Sequence, residues 1–368
     1  METHHARLQD AANGLLQWAI LGRDLSEPLQ RVATAGGASG AGFTKCLGDA
    51  FTAVPSPSLI ECLREYNSKG LVAPRSKALL VPAATGSFAT NAAIPAEILR
   101  RDPFYQDFML RRGISRVAAA RLALPGEGLY RFAFYRGESG GPFLPEETRA
   151  LDCILPHLQA VATICQSTLE KQTADRASFF SHSGLAALKI GRGGRVLESN
   201  AAADGLVPDL FGMSRGRITL TLRSEQDRLD RAIAVAQSDD PAPTMFRILG
   251  ADETHHPLLL VLPVAGRARD VFANTLAFVV IIESMRPHSA ISRPCLDVLG
   301  SSLSLTPREQ SVVGVVASGR DLSSAAKQLD IAIGTTRNHL KNAMQKAYVH
   351  SQVELVALMA TLSKVIAA

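Results

Sequence analysis

What this sequence lacks narrows it first. No long hydrophobic run is present: the longest apolar segments, residues 258–264 and 271–282, fall well short of the roughly 20 residues a spanning helix needs, and Pro263 and Asn274 interrupt them. A membrane role is therefore not expected. The start, METHHARLQD, has neither the basic opening nor the apolar stretch of a signal peptide, so a cytoplasmic protein is expected. Cysteine is sparse and odd in number. Cys46, Cys62, Cys153, Cys165 and Cys295 show no paired metal-ligand spacing and read as reduced, mostly buried thiols. No HExxH, GxSxG or CxxC occurs. The glycines of 191–194 lack the following Lys-Ser or Lys-Thr of a phosphate cradle and read more simply as a hairpin turn. No catalytic residue, metal site or cofactor is expected, and the chain is not read as an enzyme. His255 and His256, at a turn, form too thin a set for a metal or haem site.

What is present suits a folded protein of several domains. At 368 residues the chain exceeds one ordinary core, and two or three domains are expected. Hydrophobic residues make up 46% and charged residues 20%, an ordinary globular balance. The net charge is +5, and its location is informative. Residues 303–368 hold seven Lys/Arg against four Asp/Glu, so +3 of the excess lies in less than a fifth of the chain. A modest basic patch is the footprint of phosphate binding, which weakens steeply with salt.

The same segment carries the clearest pattern. Thr306 and Glu309 have the spacing of a capping box, and Val313, Val316 and Ala317 form the apolar stripe of a first helix. Gly319 ends that helix. Asp321 can cap a second, with Leu322, Ala325, Ala326 and Leu329, and Ile331 lies in a tight turn. A third helix is predicted from about 333 to 347. A fourth, from about 351, carries Leu355, Leu358, Met359 and Leu362 on one side. Two short helices around a tight turn with a longer polar second member make a helix-turn-helix. On the third helix Thr336, Leu340, Ala343 and Ala347 share the core face, while Arg337, Asn338, Lys341 and Gln345 share the other, which carries no acid. Arg and Lys suit guanine edges, Asn suits adenine, and either cation suits phosphate.

These residues resemble the C-terminal DNA-binding domain of LuxR-type transcriptional regulators. Leu305, Thr306, Arg308 and Glu309 match that family's L-T-x-R-E opening, and Gly319, Ala326, Leu329 and Ile331 match the second helix and its turn. Thr335, Arg337 and His339 match the start of the recognition helix, and Lys346, Val349, Glu354, Leu355 and Val356 match the closing segments. The resemblance runs about 55 residues without a gap. It implies base-facing roles for Arg337, Asn338 and Lys341, phosphate contacts for Thr335, His339 and Lys346, and a dimer surface on the fourth helix at Val353, Ala357 and Ala360. The chain departs from the pattern at 321–326, DLSSAA, and at Thr336, Ala347 and Gln352. Sigma-factor C-terminal helices share the general plan, but the fourth helix and His339 favour the LuxR-type reading.

Upstream, residues 1–145 alternate helices (8–21, 28–34, 58–67, 95–112) with strands (41–47, 116–123, 130–135). Through DPFYQDF at 102–108 and RGESGGPFLPEE at 136–147 the region resembles a GAF-like sensor. Phe104, Tyr105 and Phe108 could line a pocket, although core packing is the commoner role. Residues 182–285 resemble a PAS domain: a hairpin about 191–194, Asn200 capping a helix, a helix at 224–236, and strands at 244–249, 258–264 and 276–282. Between them 146–181 is a connecting helix containing Pro156. Its 3,4-spaced seam Leu151, Ile154, Leu158, Val161 and Cys165 suits either a parallel dimer or packing on its own domain. Residues 286–302 read as a linker, and 303–368 as the helix-turn-helix domain. The Trp- and Tyr-rich pocket motif of autoinducer-binding relatives is missing, with only Trp18 in the chain. An acyl-homoserine lactone is therefore not the expected ligand, and the paired acids and lysine of a phospho-acceptor receiver are missing too.

The expected fold class is a multidomain α+β protein: two antiparallel-sheet sensor-like domains (GAF-like, PAS-like), then an all-α four-helix LuxR-type domain. The expected function is a cytoplasmic transcription regulator that binds double-stranded DNA as a homodimer. A small-molecule effector and RNA polymerase are its candidate further partners. The alternative is a GAF/PAS ligand-binding or protein-interaction module whose helix-turn-helix no longer binds DNA.

Overall fold

The computed structural model describes residues 2–47, 50–68, 86–238, 240–249, 256–266, 268–282, 293–317 and 320–367. Of the residues singled out above, Gly319 and His255 lie outside these. The chain divides into two compact units, one of Met1–Lys171 with Gly266–Asn274, the other of Gln172–Ala265 with Thr275–Ala368.

The first unit opens with helices α1 (Glu2–Ile20) and α2 (Ser26–Ala35), then strands β1 (Gly40–Leu47) and β2 (Ala50–Pro55). Next come α3 (Ile60–Ser68), β3 (Ala89–Thr90), α4 (Ala96–Arg101), β4 (Arg116–Leu122), β5 (Leu129–Arg136) and α5 (Pro145–Asp152). On α1, Leu8, Ala12 and Leu15 are fully buried at 4,3 spacing, one stripe of an amphipathic helix. The sheet runs β2-β1-β5-β4-β3, antiparallel throughout. Strand alternation gives it two unlike faces. Phe43, Phe132 and Phe134 lie on one, with Phe43 and Phe132 paired in register at a ring separation of 4.9 Å. Phe272 of the 266–274 segment adds a fourth ring, 5.3 Å from Phe43.

After β5 the chain turns a corner built on one buried arginine. Arg136 donates to both carboxylate oxygens of Glu147 at 2.9 and 3.3 Å, donates to the carbonyls of Gly140 and Pro142, and lies 3.9 Å over the Phe143 ring. Gly140 is required there, because a Cβ would sit 2.5 Å from Arg136 Cγ. Glu147 also accepts from the Leu144 amide at 2.7 Å and so caps α5. The RGESGGPFLPEE segment thus has a structural role.

The predicted connecting helix is two helices. Helix α5 stops at Asp152, and α6 (Leu155–His182) begins after Cys153 and Ile154. Pro156 sits in the first turn of α6, where a missing N–H costs nothing, so the 28-residue helix continues past it. The seam is not free for a partner helix. Leu151, Ile154, Leu158 and Val161 are at most 1% exposed, and Gln159 and Gln166 of the same helix bond the backbone of Ala123 and Pro125. Of the two readings of the heptad pattern, packing within its own unit is the one realised.

The second unit contains the end of α6, then β6 (Ala186–Ile190), β7 (Val196–Ser199), α7 (Ala201–Asp204), β8 (Gly212–Ser214), β9 (Arg217–Thr219) and α8 (Arg223–Ala236). Strands β10 (Thr244–Arg247), β11 (Leu258–Pro263) and β12 (Ala277–Ile282) follow, the short α9 (Arg269–Phe272) between the last two belonging to the first unit. Asn200 caps α7, accepting from the Ala203 amide at 3.0 Å. The antiparallel sheet runs β10-β11-β12-β6-β7, and β8–β9 is a separate hairpin. Numbered within each sheet, both five-stranded sheets have the order 2-1-5-4-3. Leu188, Leu259, Val261, Val279 and Ile281 fill one face together with Leu229 of α8.

The segment read as a linker is in part a helix. Helix α10 (Arg293–Ser302) packs on β10 and on the C-terminal helices α11 (Pro307–Ala317) and α14 (Gln352–Ala367). Its prolines and serines hid an apolar side: Val298 is buried, and Leu296 lies against Gly314 of α11. The antiparallel sheets and the helical C-terminal domain agree with the expected class.

Candidate nucleic-acid interface

The C-terminal domain comprises α11, α12 (Leu322–Leu329), α13 (Ile333–Lys346) and α14. Its first helix starts as the sequence indicates. Thr306 N–H donates to Glu309 Oε2 at 2.8 Å, and Glu309 N–H donates to Thr306 Oγ1 at 3.3 Å, a closed capping box. Asp321 caps α12 by accepting from the Ser324 amide at 2.7 Å. That bond holds its carboxyl below the usual carboxylate range. The turn between α12 and α13 is made by Asp330 in the left-handed region, φ 51°, and the Ile331 amide returns to the Ala326 carbonyl. Val312, Val313, Val316, Ala325, Leu355 and Leu358 close the core.

Helix α13 has two chemically distinct faces. Thr336, Leu340, Ala343 and Ala347 are at most 4% exposed. The buried Thr336 hydroxyl is satisfied by the Ala332 carbonyl at 3.1 Å, so a polar residue is tolerated inside this small core. Arg337, Asn338, Lys341 and Gln345 are exposed, Thr335 is exposed near the helix start, and His339 is half-buried. That face presents hydrogen-bond donors and positive charge without an acid.

Lys346 is placed differently from the other candidates. Its ammonium donates to Glu309 Oε2 at 2.7 Å and to the Ser304 carbonyl at 3.0 Å, tying the end of α13 to the start of α11. Burial alone would push the Glu309 carboxyl up, but hydrogen bonds from Lys346 and the Thr306 amide outweigh it and hold the group below the ordinary glutamate range. Ala357 and Ala360 are each 1% exposed within this chain, whereas Val353 is 66% exposed. The alanines are therefore core residues of the monomer, and of the three only Val353 is open to a partner.

A second feature lies in the first unit, on the sheet face opposite the phenylalanines. An apolar pocket is walled by the strands through Gly42, Thr44 and Ala53 and by the rings of Tyr66, Phe104 and Phe108. Gly42 keeps β1 and β2 close, since a Cβ would meet the Val54 carbonyl at 2.6 Å. Thr44 is 3% exposed and its hydroxyl has no hydrogen-bond partner among the described residues. Tyr135 also lines the pocket, its phenol pushed up to about 12 by burial despite the opposing charge of Arg131, and burial likewise raises the Cys62 thiol. Phe104 and Phe108 face this pocket as the sequence allowed. Tyr105 instead turns into the core and donates to the Ser115 carbonyl at 2.7 Å. Among the described residues no cluster of three or more His, Cys, Asp and Glu is arranged to hold a metal, and no helix is long and apolar enough to cross a membrane.

Comparison with known proteins identifies the C-terminal domain. Residues 303–359 match the GerE family model, bacterial regulatory proteins of the luxR family. The monoamine regulon transcriptional regulator of Klebsiella aerogenes is 40% identical over 53 residues, which is 14% of this chain and 23% of that protein. Among solved structures, the N-acylhomoserine lactone dependent LuxR family factor CepR2 of Burkholderia cenocepacia is 16% identical. It aligns over 44% of this chain and 93% of its own length at a TM-score of 0.34. SdiA of Escherichia coli is 11% identical over 96% of this chain and 97% of its own, at a TM-score of 0.30. The C-terminal region is thus a LuxR-type GerE helix-turn-helix domain.

Proposed function

We propose that this chain is a cytoplasmic DNA-binding transcription regulator in which the upstream sheets sense a small molecule and control the C-terminal helix-turn-helix. The observation that carries the reading is the exposed, acid-free face of α13, with Arg337, Asn338 and Lys341 on a helix whose opposite face is locked into a LuxR-type core. Arg337 and Lys341 would read guanine edges or phosphate and Asn338 would read adenine, with Thr335 and His339 at phosphates. Lys346 is dropped from the phosphate set, because its ammonium is engaged by Glu309 and Ser304. A homodimer would place two such helices about 34 Å apart, one turn of the duplex.

The pocket behind Gly42 and Thr44 supports the sensing half of the reading. Its walls are apolar, and one buried hydroxyl without a partner among the described residues is the kind of group a bound molecule satisfies. The effector that fits is small, uncharged and mostly apolar, with one group able to hydrogen-bond Thr44. Selecting duplexes from a random pool with the full-length chain tests the DNA half: enrichment of one sequence, two-fold symmetric if the chain is a dimer, is expected. A chain that enriches nothing would favour the interaction-module alternative. Mass spectrometry of small molecules extracted from the purified chain and from Thr44→Val tests the other half. A compound present in the first and depleted in the second is expected, and equal recovery removes Thr44 from the site.

A further inference from the structure

The edge strand β10 touches the DNA-binding domain with side chains that no sequence pattern marks. Strand alternation sends Phe246 and Ile248 into the core of the second sheet and puts Met245 and Arg247 on the other side. The Met245 amide, on the sheet's edge, donates to Ser302 Oγ of α10 at 3.3 Å. Two residues on, Arg247 Nε donates to the carbonyl of Ala347 at 3.0 Å, and Nη1 donates to the carbonyl of His256, two residues before β11.

Ala347 is the C-cap of α13. Its carbonyl is among the last of that helix, which have no partner within the helix, and the negative end of the helix dipole lies there. A guanidinium held between the sheet and this carbonyl satisfies the helix end and also fixes where it sits. Glu354 of α14 adds a facing charge, and the His256 ring lies 6.3 Å from Tyr348 at the same junction.

We infer that Arg247 is a positioning residue for DNA recognition, setting the angle at which α13 is presented from the second sheet. The inference rests on the DNA-binding reading above. Arg247 holds one end of the helix, and the base-facing residues lie toward the other. With a rise of 1.5 Å per residue, Arg337 is about 15 Å from Ala347, so a tilt of about 10° at the clamp displaces it by about 2.6 Å. That is enough to break a direct hydrogen bond to a base edge, while phosphate attraction, which is long-ranged, barely changes.

The test uses the full-length chain, the duplex that the wild type selects from a random pool, and poly(dI-dC) as non-specific competitor. Arg247→Met keeps the aliphatic stem and removes the donors; Arg247→Lys keeps the charge and one donor group and guards against a folding failure of the first. Arg247→Met should bind the selected duplex about tenfold more weakly, the scale of one lost base contact. Its affinity for the competitor should stay put even though its melting temperature falls slightly as the Ala347 and His256 carbonyls lose their donor, and Arg247→Lys should recover part of the loss of preference. Equal preference in Arg247→Met and wild type overturns the inference alone, as does a loss on both DNAs that tracks a lower melting temperature in both variants. A wild type that selects no duplex overturns the DNA-binding reading and this inference with it.

Discussion

The two sheets share one strand order and differ in what fills them. In the second, one face is packed with Leu, Ile and Val from strands and α8 until those side chains are almost wholly buried. In the first, the face toward the pocket carries Gly42, Thr44, Ala53, Ala119 and Ala133, opposed by the rings of Tyr66, Phe104 and Phe108. Branched aliphatic chains interdigitate to close packing, whereas rigid rings set against short side chains leave space between them. One topology therefore yields a solid platform, against which the C-terminal helices pack through β10 and α10, and a hollow one.

The difference can be broken by truncation. Leu259→Ala, on the filled face, should destabilise the chain by about 3 kcal/mol, since the cavity it leaves has no room to collapse. Phe108→Leu, at the hollow face, should cost only about 1 kcal/mol because a neighbouring void already exists. Chemical denaturation of both variants measures the contrast, and equal losses would mean that the first face is as tightly packed as the second. A smaller effect of opposite sign is expected at Thr44. Removing an unsatisfied buried hydroxyl in Thr44→Val should stabilise ligand-free protein by up to about 1 kcal/mol, read as a rise in melting temperature, and a fall would show that the hydroxyl has a partner after all.

The smallest expected effect is a pH dependence confined to the second unit. Glu309 has its carboxyl held below the ordinary range in the folded chain. The stability it contributes is therefore complete above the unfolded glutamate value of about 4.3 and is lost as pH falls through the lower folded value. Glu309→Gln should flatten that part of the acid unfolding curve and release Lys346. Superimposable curves for wild type and variant between pH 5 and pH 3 would contradict the assignment.

Some of this was legible in the sequence and some was not, for physical reasons. The two faces of α13 and the Thr306–Glu309 box follow from local spacing, which a helix reads out directly. Burial of the α6 seam does not, because the same 3,4 pattern serves a partner helix or the helix's own domain. Strand β2 carries no local signature: AFTAVP is short and gains its role only by pairing with β1. The pocket depends on which strand residues end up opposite which rings, and α10 on contacts with a strand nearly fifty residues earlier in the chain. Arg247 belongs to the same class, one of many arginines until the fold sets it at the C-terminal end of α13.

DNA recognition by this chain rests on the exposed face of α13. Titration of the selected duplex with full-length Arg337→Ala and Lys341→Ala, across a range of salt concentrations, tests it directly. Each variant should bind at least about tenfold more weakly at moderate salt with an unchanged melting temperature, and a residue that contacts phosphate should also give a shallower salt dependence. Wild-type affinity in both variants would contradict the claim that this face reads DNA.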